Sequence, residues 1–291
     1  MEKAFDKVWK EGLRLKLLKS GVSGKMYKWI SQYLNNRKAR VHVNGKYSRK
    51  KTMKEGVPQG GVLSPTLFLD FINDIVKDLP KKVQGAIYAD DLALWCSEEY
   101  ITTAQLRLQE ALNVLEEWTK KWLVSINNSK TTFTIFSLST KEQRANLRIN
   151  GQNLRPEENP TYLGVTFDKR LNWTQQIEKT EMRGKVRLAL MRKLAGTGWG
   201  ADAGILKRMY TGRVRPILEY GATAWNTAAD TNLNKINRVQ NQATRVITGA
   251  VRSTPIMALE TSTGLESLED RRNTKVLIQA AKFRRFPDHP M

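Results

Sequence analysis

Tyr88-Ala89-Asp90-Asp91 stands between two apolar runs, Gly85-Ala86-Ile87 before it and Leu92-Ala93-Leu94-Trp95 after it. This pattern predicts a short hairpin over Ala86–Cys96 with the acids at its tip. Neighbouring side chains on a regular strand face opposite ways, so both carboxylates can reach one ligand only at a tip. Acids held among apolar strands cost free energy unless a cation pairs with them. Hard Mg²⁺ favours carboxylate and phosphate oxygens, and the chemistry indicated is phosphoryl transfer on a nucleic acid. A bare Asp-Asp dipeptide is most often a solvated turn. The apolar flanks argue against that here, as does Gly56-Val57-Pro58-Gln59-Gly60-Gly61 about thirty residues upstream. Glycines there let the backbone approach a bulky partner, Pro58 stiffens the loop, and Gln59 offers a bond to a base or sugar.

Charge supports a polyanionic partner. The 291 residues carry a net charge of +21, which disfavours an enzyme of neutral metabolites. A small-molecule enzyme would leave this charge unexplained. The basic residues are spread along the chain, so a broad groove is expected rather than a basic tail. A single cysteine, Cys96, excludes an internal disulfide and fits a reducing compartment. With only His42 and His289 beside it, a zinc finger has no ligand set. No apolar run of about 18 residues suggests a membrane span, and the N-terminal residues do not resemble a signal peptide.

Periodicity predicts helices over 7–20, 24–35 and 65–79, and a long helix capped by Thr102 or Thr103, with Leu108, Leu112, Leu115, Trp118 and Trp122 on one face. Strands are expected at Ala39–Val43 and Thr131–Phe136. Hairpin turns are expected at Asn44-Gly45 and Asn150-Gly151. Beyond about Trp173 the pattern becomes almost wholly helical, over 175–194, 204–220 and 233–248, and Gly196–Gly200 is the most linker-like stretch. The class is α+β.

The ordered motifs together resemble the reverse transcriptases of non-LTR (LINE-type) retrotransposons, closest to the jockey-like group. Glu2-Lys3-Ala4-Phe5-Asp6-Lys7-Val8-Trp9 is similar to the end of that family's first palm motif. Gly56–Gly60 with Val62-Leu63-Ser64-Pro65 is similar to the second, and Tyr88–Asp91 to the third. Trp122-Leu123 and Ile126-Asn127 leading to Lys130-Thr131 resemble the fourth, and Tyr162-Leu163-Gly164-Val165 the fifth. Arg215–Gly221 and Arg238–Asn241 match the helices that follow the thumb.

The resemblance implies a polymerase palm, an antiparallel sheet with helices on one face, followed by a helical thumb and connecting helices. The divisions expected are 1–137 for a partial palm, 138–198 for primer-grip hairpins and the start of the thumb, and 199–291 for the C-terminal helices. It implies an RNA-directed DNA polymerase using two Mg²⁺ ions (or Mn²⁺), with Asp90 and Asp91 as ligands. Phe5 would stack under the sugar and exclude ribonucleotides. Gln59 and Gly60 would touch the template–nucleotide pair, and Lys130 would protonate the pyrophosphate. Tyr162, Leu163, Gly164 and Val165 would hold the primer terminus. Lys179, Arg183, Lys185, Arg187, Arg192 and Lys193 would track the duplex backbone. Partners would be an RNA template, a DNA primer and deoxynucleoside triphosphates, with nuclear access and a cytoplasmic phase.

Two departures qualify the resemblance. The family's first catalytic Asp lies five residues before the aromatic, and counting back from Phe5 passes Met1. That acid and the finger motifs are therefore expected to be missing, neither Glu2 nor Asp6 is expected to replace the acid, and the chain reads as a fragment. It would then be a weak polymerase or an inactive nucleic-acid-binding relic. The second departure is Gly61, where the family often has Ser.

Overall fold

The computed structural model describes residues 4–196 and 200–286, which form two compact units. Among the described residues the first comprises 4–133 and 141–156, the second 134–140, 157–196 and 200–286. The class is α+β, as expected.

In the first unit, α1 (Lys10–Lys19) and α2 (Gly24–Leu34) precede four two-residue strands. These are β1 (Lys38–Ala39), β2 (His42–Val43), β3 (Lys46–Tyr47) and β4 (Lys51–Thr52). Asn44 and Gly45 both have positive φ, 47° and 77°, the geometry of a tight hairpin turn that an Asn-Gly pair supplies. Then follow α3 (Ser64–Ile72), β5 (Val83–Tyr88), β6 (Asp91–Cys96) and α4 (Ile101–Trp122). β7 (Thr132–Phe133), β8 (Arg148–Ile149), β9 (Gln152–Asn153) and β10 (Arg155–Pro156) complete the unit. Among the described residues the strands pair two by two, and β7–β10 is parallel. A single continuous antiparallel sheet is not formed there: β2–β3, β5–β6 and β8–β9 are hairpins, while β1 pairs with β4 and β7 with β10 across longer segments.

The core of this unit is set by helical spacing. Leu112, Leu115, Trp118 and Trp122 on α4 are buried against Leu13 and Leu17 of α1 and Phe68, Phe71 and Ile72 of α3. Leu108 is half-buried against the same cluster. One polar group enters this core. Lys16 is buried, and its ammonium donates to the Phe71 carbonyl and to Asp74 and lies 3.9 Å over the Trp122 ring. Burial lowers its pKa despite the opposing pull of Asp74.

Several local expectations need correction. α3 stops at Ile72 rather than near Leu79. There the Asp74 carboxylate is drawn inward by Lys16 and by the Trp118 indole N–H at 3.0 Å. α4 begins at Ile101 with no side-chain cap, so neither Thr102 nor Thr103 caps it. The strand expected over Thr131–Phe136 is only Thr132–Phe133, because Asn127 folds the preceding residues into a short turn by accepting from the Lys130 N–H.

The second unit opens with β11 (Thr161–Tyr162) and β12 (Val165–Thr166), then α5 (Thr174–Leu194) and α6 (Ala203–Met209). α7 (Arg215–Glu219), α8 (Ala222–Trp225), α9 (Asp230–Thr248), α10 (Ile256–Thr263) and α11 (Leu268–Phe283) follow. Helix α5 presents Ile177, Gly184, Leu188 and Met191 to the core, and α9 presents Ile236, Val239, Ala243 and Ile247. The helix expected over 204–220 is interrupted by a widened turn at Tyr210–Val214. Pro216 lacks an N–H and its ring would crowd the carbonyl one turn earlier, so the helix widens before it. Of the expected linker, Thr197–Trp199 lie outside the described residues. No helix among the described residues is long and apolar enough to cross a membrane.

Candidate active site

The register of β5 and β6 places Tyr88 opposite Asp91, so Ala89 and Asp90 form the turn. Asp90 stands in the turn and Asp91 opens β6. Ala89 has φ 51°, a left-handed conformation that costs a residue with a β-carbon roughly 1–2 kcal/mol. Neither acid is buried: Asp91 is exposed and Asp90 half-exposed. The cost of burying an acid therefore does not arise at the tip itself. The apolar flanks have another role, since Ile87, Leu92 and Leu94 pack onto the core of the unit.

Phe5 stacks on Phe68 with centroids 4.5 Å apart, and packs against that same core. Its carbonyl accepts from the Val57 N–H at 2.8 Å, and the Val8 carbonyl accepts from the Gly56 N–H at 2.8 Å. The segment around Phe5 is thereby fixed to the glycine-rich loop. Gly56 has φ 82°, and a β-carbon there would lie 2.6 Å from the Asp6 carbonyl oxygen, so the close approach excludes other residues. The Gln59 amide donates to Asp6 at 3.1 Å. Ser64 closes the loop by donating to the Pro58 carbonyl. Gln59 and Gly60 remain exposed. The structure thus joins Phe5, Asp6 and Gln59. Met1–Lys3, including Glu2, lie outside the described residues. Lys130 is exposed at the end of its short turn.

The donor chemistry at Asp90 and Asp91 suits a hard divalent cation. Among the described residues no group of three His, Cys, Asp or Glu side chains gathers around one point.

In the second unit, Leu163 and Gly164 form the turn between β11 and β12, with φ 48° and 78°. The Tyr220 hydroxyl donates to the Leu163 carbonyl at 2.8 Å. A β-carbon on Gly164 would stand 3.2 Å from the Tyr220 ring. Tyr220 is therefore a brace for the Tyr162–Val165 hairpin, a role that the sequence reading missed. The only sequence signal was the Tyr220-Gly221 pair itself, since Gly221 at φ 64° lets the chain turn against Val165. Glu219, beside it, is buried and accepts from Arg271 and from Lys275 at 2.6 Å.

The basic residues on α5 divide into two groups. The Lys179 ammonium donates to Thr166 at 3.0 Å, Lys185 pairs with Glu181 at 2.6 Å, and Arg192 donates to Gln242 at 2.9 Å. Arg183, Arg187 and Lys193 are exposed, Arg183 and Arg187 on the flank of the buried stripe and Lys193 opposite it.

A family model described as reverse transcriptase (RNA-dependent DNA polymerase) matches residues 1–167. The chain belongs to the reverse transcriptase family. Its relatives are of the non-LTR, jockey-like retrotransposon type. It is 35% identical to the probable RNA-directed DNA polymerase from transposon BS of Drosophila melanogaster, over 85% of this chain and 28% of that protein. It is 34% identical to the RNA-directed DNA polymerase from mobile element jockey of Drosophila funebris, over 86% and 28%. Against the Drosophila melanogaster jockey polymerase the identity is 32%, over 86% and 28%. The chain thus spans little more than a quarter of the length of these reverse transcriptases.

Proposed function

We propose that this chain carries the nucleotidyl-transfer tip and the primer-holding hairpin of an RNA-directed DNA polymerase from a non-LTR retrotransposon. The observation that carries the reading is the Tyr88–Asp91 turn. It is strained at Ala89, it holds two acids, and its flanks are seated on the core that also seats Phe5. Strain of this kind persists where surrounding structure imposes it and clusters at working sites.

Under this reading residues 1–137 act as palm, and the helices beyond 173 act as thumb and connection. Asp90 and Asp91 would hold Mg²⁺, or Mn²⁺. Bound divalent ions would supply activation of a primer 3′-hydroxyl and neutralisation of the leaving pyrophosphate. Phe5, held in a stack on Phe68, would limit what fits at the sugar. Gln59, oriented by Asp6, would contact the template–nucleotide pair, with Gly60 leaving room for it. Lys130 would donate a proton to the departing pyrophosphate. The Tyr162–Val165 turn, fixed by Tyr220, would position the primer terminus. Arg183, Arg187 and Lys193 would contact duplex phosphates, while Lys179, Lys185 and Arg192 would do so only by exchanging the bonds they make now. Template, primer and deoxynucleoside triphosphates would be the partners, at chromosomal DNA in the nucleus with a cytoplasmic phase.

A second reading applies to these 291 residues as an isolated polypeptide, that of a nucleic-acid-binding relic without catalysis. It is favoured by the lack of a third acid grouped with Asp90 and Asp91 among the described residues. Two-metal transfer depends on fixed ligand geometry, and a missing ligand lowers its rate by orders of magnitude. Primer extension on poly(rA)/oligo(dT) with Mg²⁺ or Mn²⁺ is expected near background for residues 1–291. Robust extension that Asp90→Asn abolishes would remove the second reading. Sequence-independent binding to an RNA–DNA hybrid, weakening steeply with salt, is expected under both readings. Salt-insensitive binding would contradict both.

A further inference from the structure

From Ser20 to Lys54 the chain has ten Lys and Arg residues and no Asp or Glu. The structure arranges this segment unusually. Helix α2 buries Ile30 and Leu34 and is tied to α1 by Arg14, which donates to the Ser31 carbonyl and to Asn35. Its outer face is not polar. Trp29 is 51% exposed and stacks on Tyr33 at 5.9 Å with planes 15° apart. The Arg37 guanidinium lies 5.2 Å from the Tyr33 ring. Trp29, Tyr33 and Arg37 thus form a ladder of planar groups at four-residue spacing.

A second stack follows on the β2–β3 hairpin. His42 lies 4.3 Å from Tyr47 with planes 25° apart, and Arg40 covers the Tyr47 ring at 3.8 Å. Tyr47 is 57% exposed. In the same segment Lys25, Lys28, Lys38, Lys46, Arg49, Lys50, Lys51 and Lys54 are all exposed. Exposed aromatic planes interleaved with cations, with no anion in the segment, match one kind of partner: a strand whose bases are free to stack and whose phosphates need neutralising. A duplex hides its base faces and would leave the rings unused. An acidic protein would meet the charge but not the parallel stacked planes.

The ladder also abuts the glycine-rich loop. A β-carbon on Gly61 would lie 2.3 Å from the Tyr33 hydroxyl oxygen. Gly61, the position where Ser was the family expectation, is therefore the residue that lets Tyr33 sit against the loop carrying Gln59.

We propose that residues 25–54 form a binding path for single-stranded nucleic acid, with Trp29 and the Arg40–Tyr47–His42 stack, which Tyr47 holds together, as stacking platforms, running to the Gln59–Gly61 loop. This path is separate from the duplex contacts assigned above to α5 and does not depend on them.

The test uses the 291-residue chain, a fluorescein-labelled oligo(U) of about 15 nucleotides and an RNA–DNA hybrid of the same length, followed by anisotropy. Stacking is worth about 1–3 kcal/mol per base. Trp29→Ala and Tyr47→Ala are therefore each expected to weaken oligo(U) binding by about 10-fold or more, with hybrid binding within about 2-fold of the parent. Trp29→Phe is expected to restore most of the loss. Arg183→Glu with Arg187→Glu on α5 should show the reverse selectivity, so failure of the duplex reading and failure of this one are distinguishable. Unchanged oligo(U) affinity in the Trp29→Ala/Tyr47→Ala double variant would overturn the proposal. Equal loss for both probes would also overturn it, by reducing the surface to a charge effect. Tyr47 lies on an exposed hairpin, so Tyr47→Ala carries the test even if Trp29→Ala disturbs α2.

Discussion

Two tight turns, one in each unit, use the same first residue geometry and differ in everything around it. Ala89 and Leu163 both take positive φ, 51° and 48°. At the second position the turn in the helical unit has Gly164, at φ 78° and under the Tyr220 ring, with the Tyr220 hydroxyl bonded to its backbone. The turn in the mixed unit has Asp90 instead of glycine, and its tip stands open to solvent. The glycine turn is shaped by what it packs against. The Ala89-Asp90 turn takes positive φ at Ala89 alone, so its second position needs no glycine and holds a carboxylate. One turn carries its strain on Ala89 and shows a carboxylate to solvent; the other is bent by a glycine and fixed by Tyr220.

The comparison breaks most forcefully at Glu219. Its carboxylate anchors the chain next to Tyr220 through Arg271 and Lys275. Removing one partner of a buried pair leaves the others uncompensated, and Glu219→Ala is expected to cost about 3–5 kcal/mol of stability. Thermal unfolding monitored by far-UV circular dichroism checks this. Burial alone would raise the Glu219 pKa, but the bonds from Arg271 and Lys275 outweigh it and the value is lowered. A lowered acid pKa stabilises the fold above the ordinary carboxylate range, and the contribution is lost as pH falls through the folded value. Acid titration should therefore unfold the parent with a steeper loss below about pH 4 than Glu219→Gln shows.

Next in size is Gly164→Val, expected to cost about 2–3 kcal/mol from strain at positive φ and crowding against Tyr220. Chemical denaturation would measure it, and a loss under about 0.5 kcal/mol would mean that the turn is not braced as described. Tyr220→Phe removes one hydrogen bond and should cost about 1 kcal/mol in the same assay. Smallest is Ala89→Gly, with the opposite sign. Relief of strain should raise stability by up to about 1 kcal/mol, while loosening the placement of Asp90. A destabilised Ala89→Gly protein would show that the Ala89 turn carries no strain.

What was legible in the sequence was local. The Asn44-Gly45 and Asn150-Gly151 turns follow from residues that favour positive φ, and the Asp90 hairpin follows from its apolar flanks. The stripe Leu112, Leu115, Trp118 and Trp122 follows from helical spacing. What was not legible depends on partners far along the chain. Lys16 looks like any surface lysine until Asp74 and Trp122 close over it. Tyr220 cannot be recognised as a brace without Leu163, 57 residues away. The widened turn before Pro216 lies inside an unbroken helical pattern. The absence of acids between Ser20 and Lys54 is plain in the sequence, but its meaning depends on Trp29 and Tyr47 being stacked and exposed.

A divalent-ion site formed by Asp90 and Asp91 at the hairpin tip can be read out by loading the chain with Fe²⁺ in place of Mg²⁺, adding ascorbate and peroxide, and mapping backbone cleavage by mass spectrometry. Cuts are expected to concentrate at the Tyr88–Leu92 tip, to be suppressed by excess Mg²⁺ and to be lost in Asp90→Asn/Asp91→Asn. Cleavage that is absent from the tip, or that persists there unchanged in the double variant, would contradict such a site.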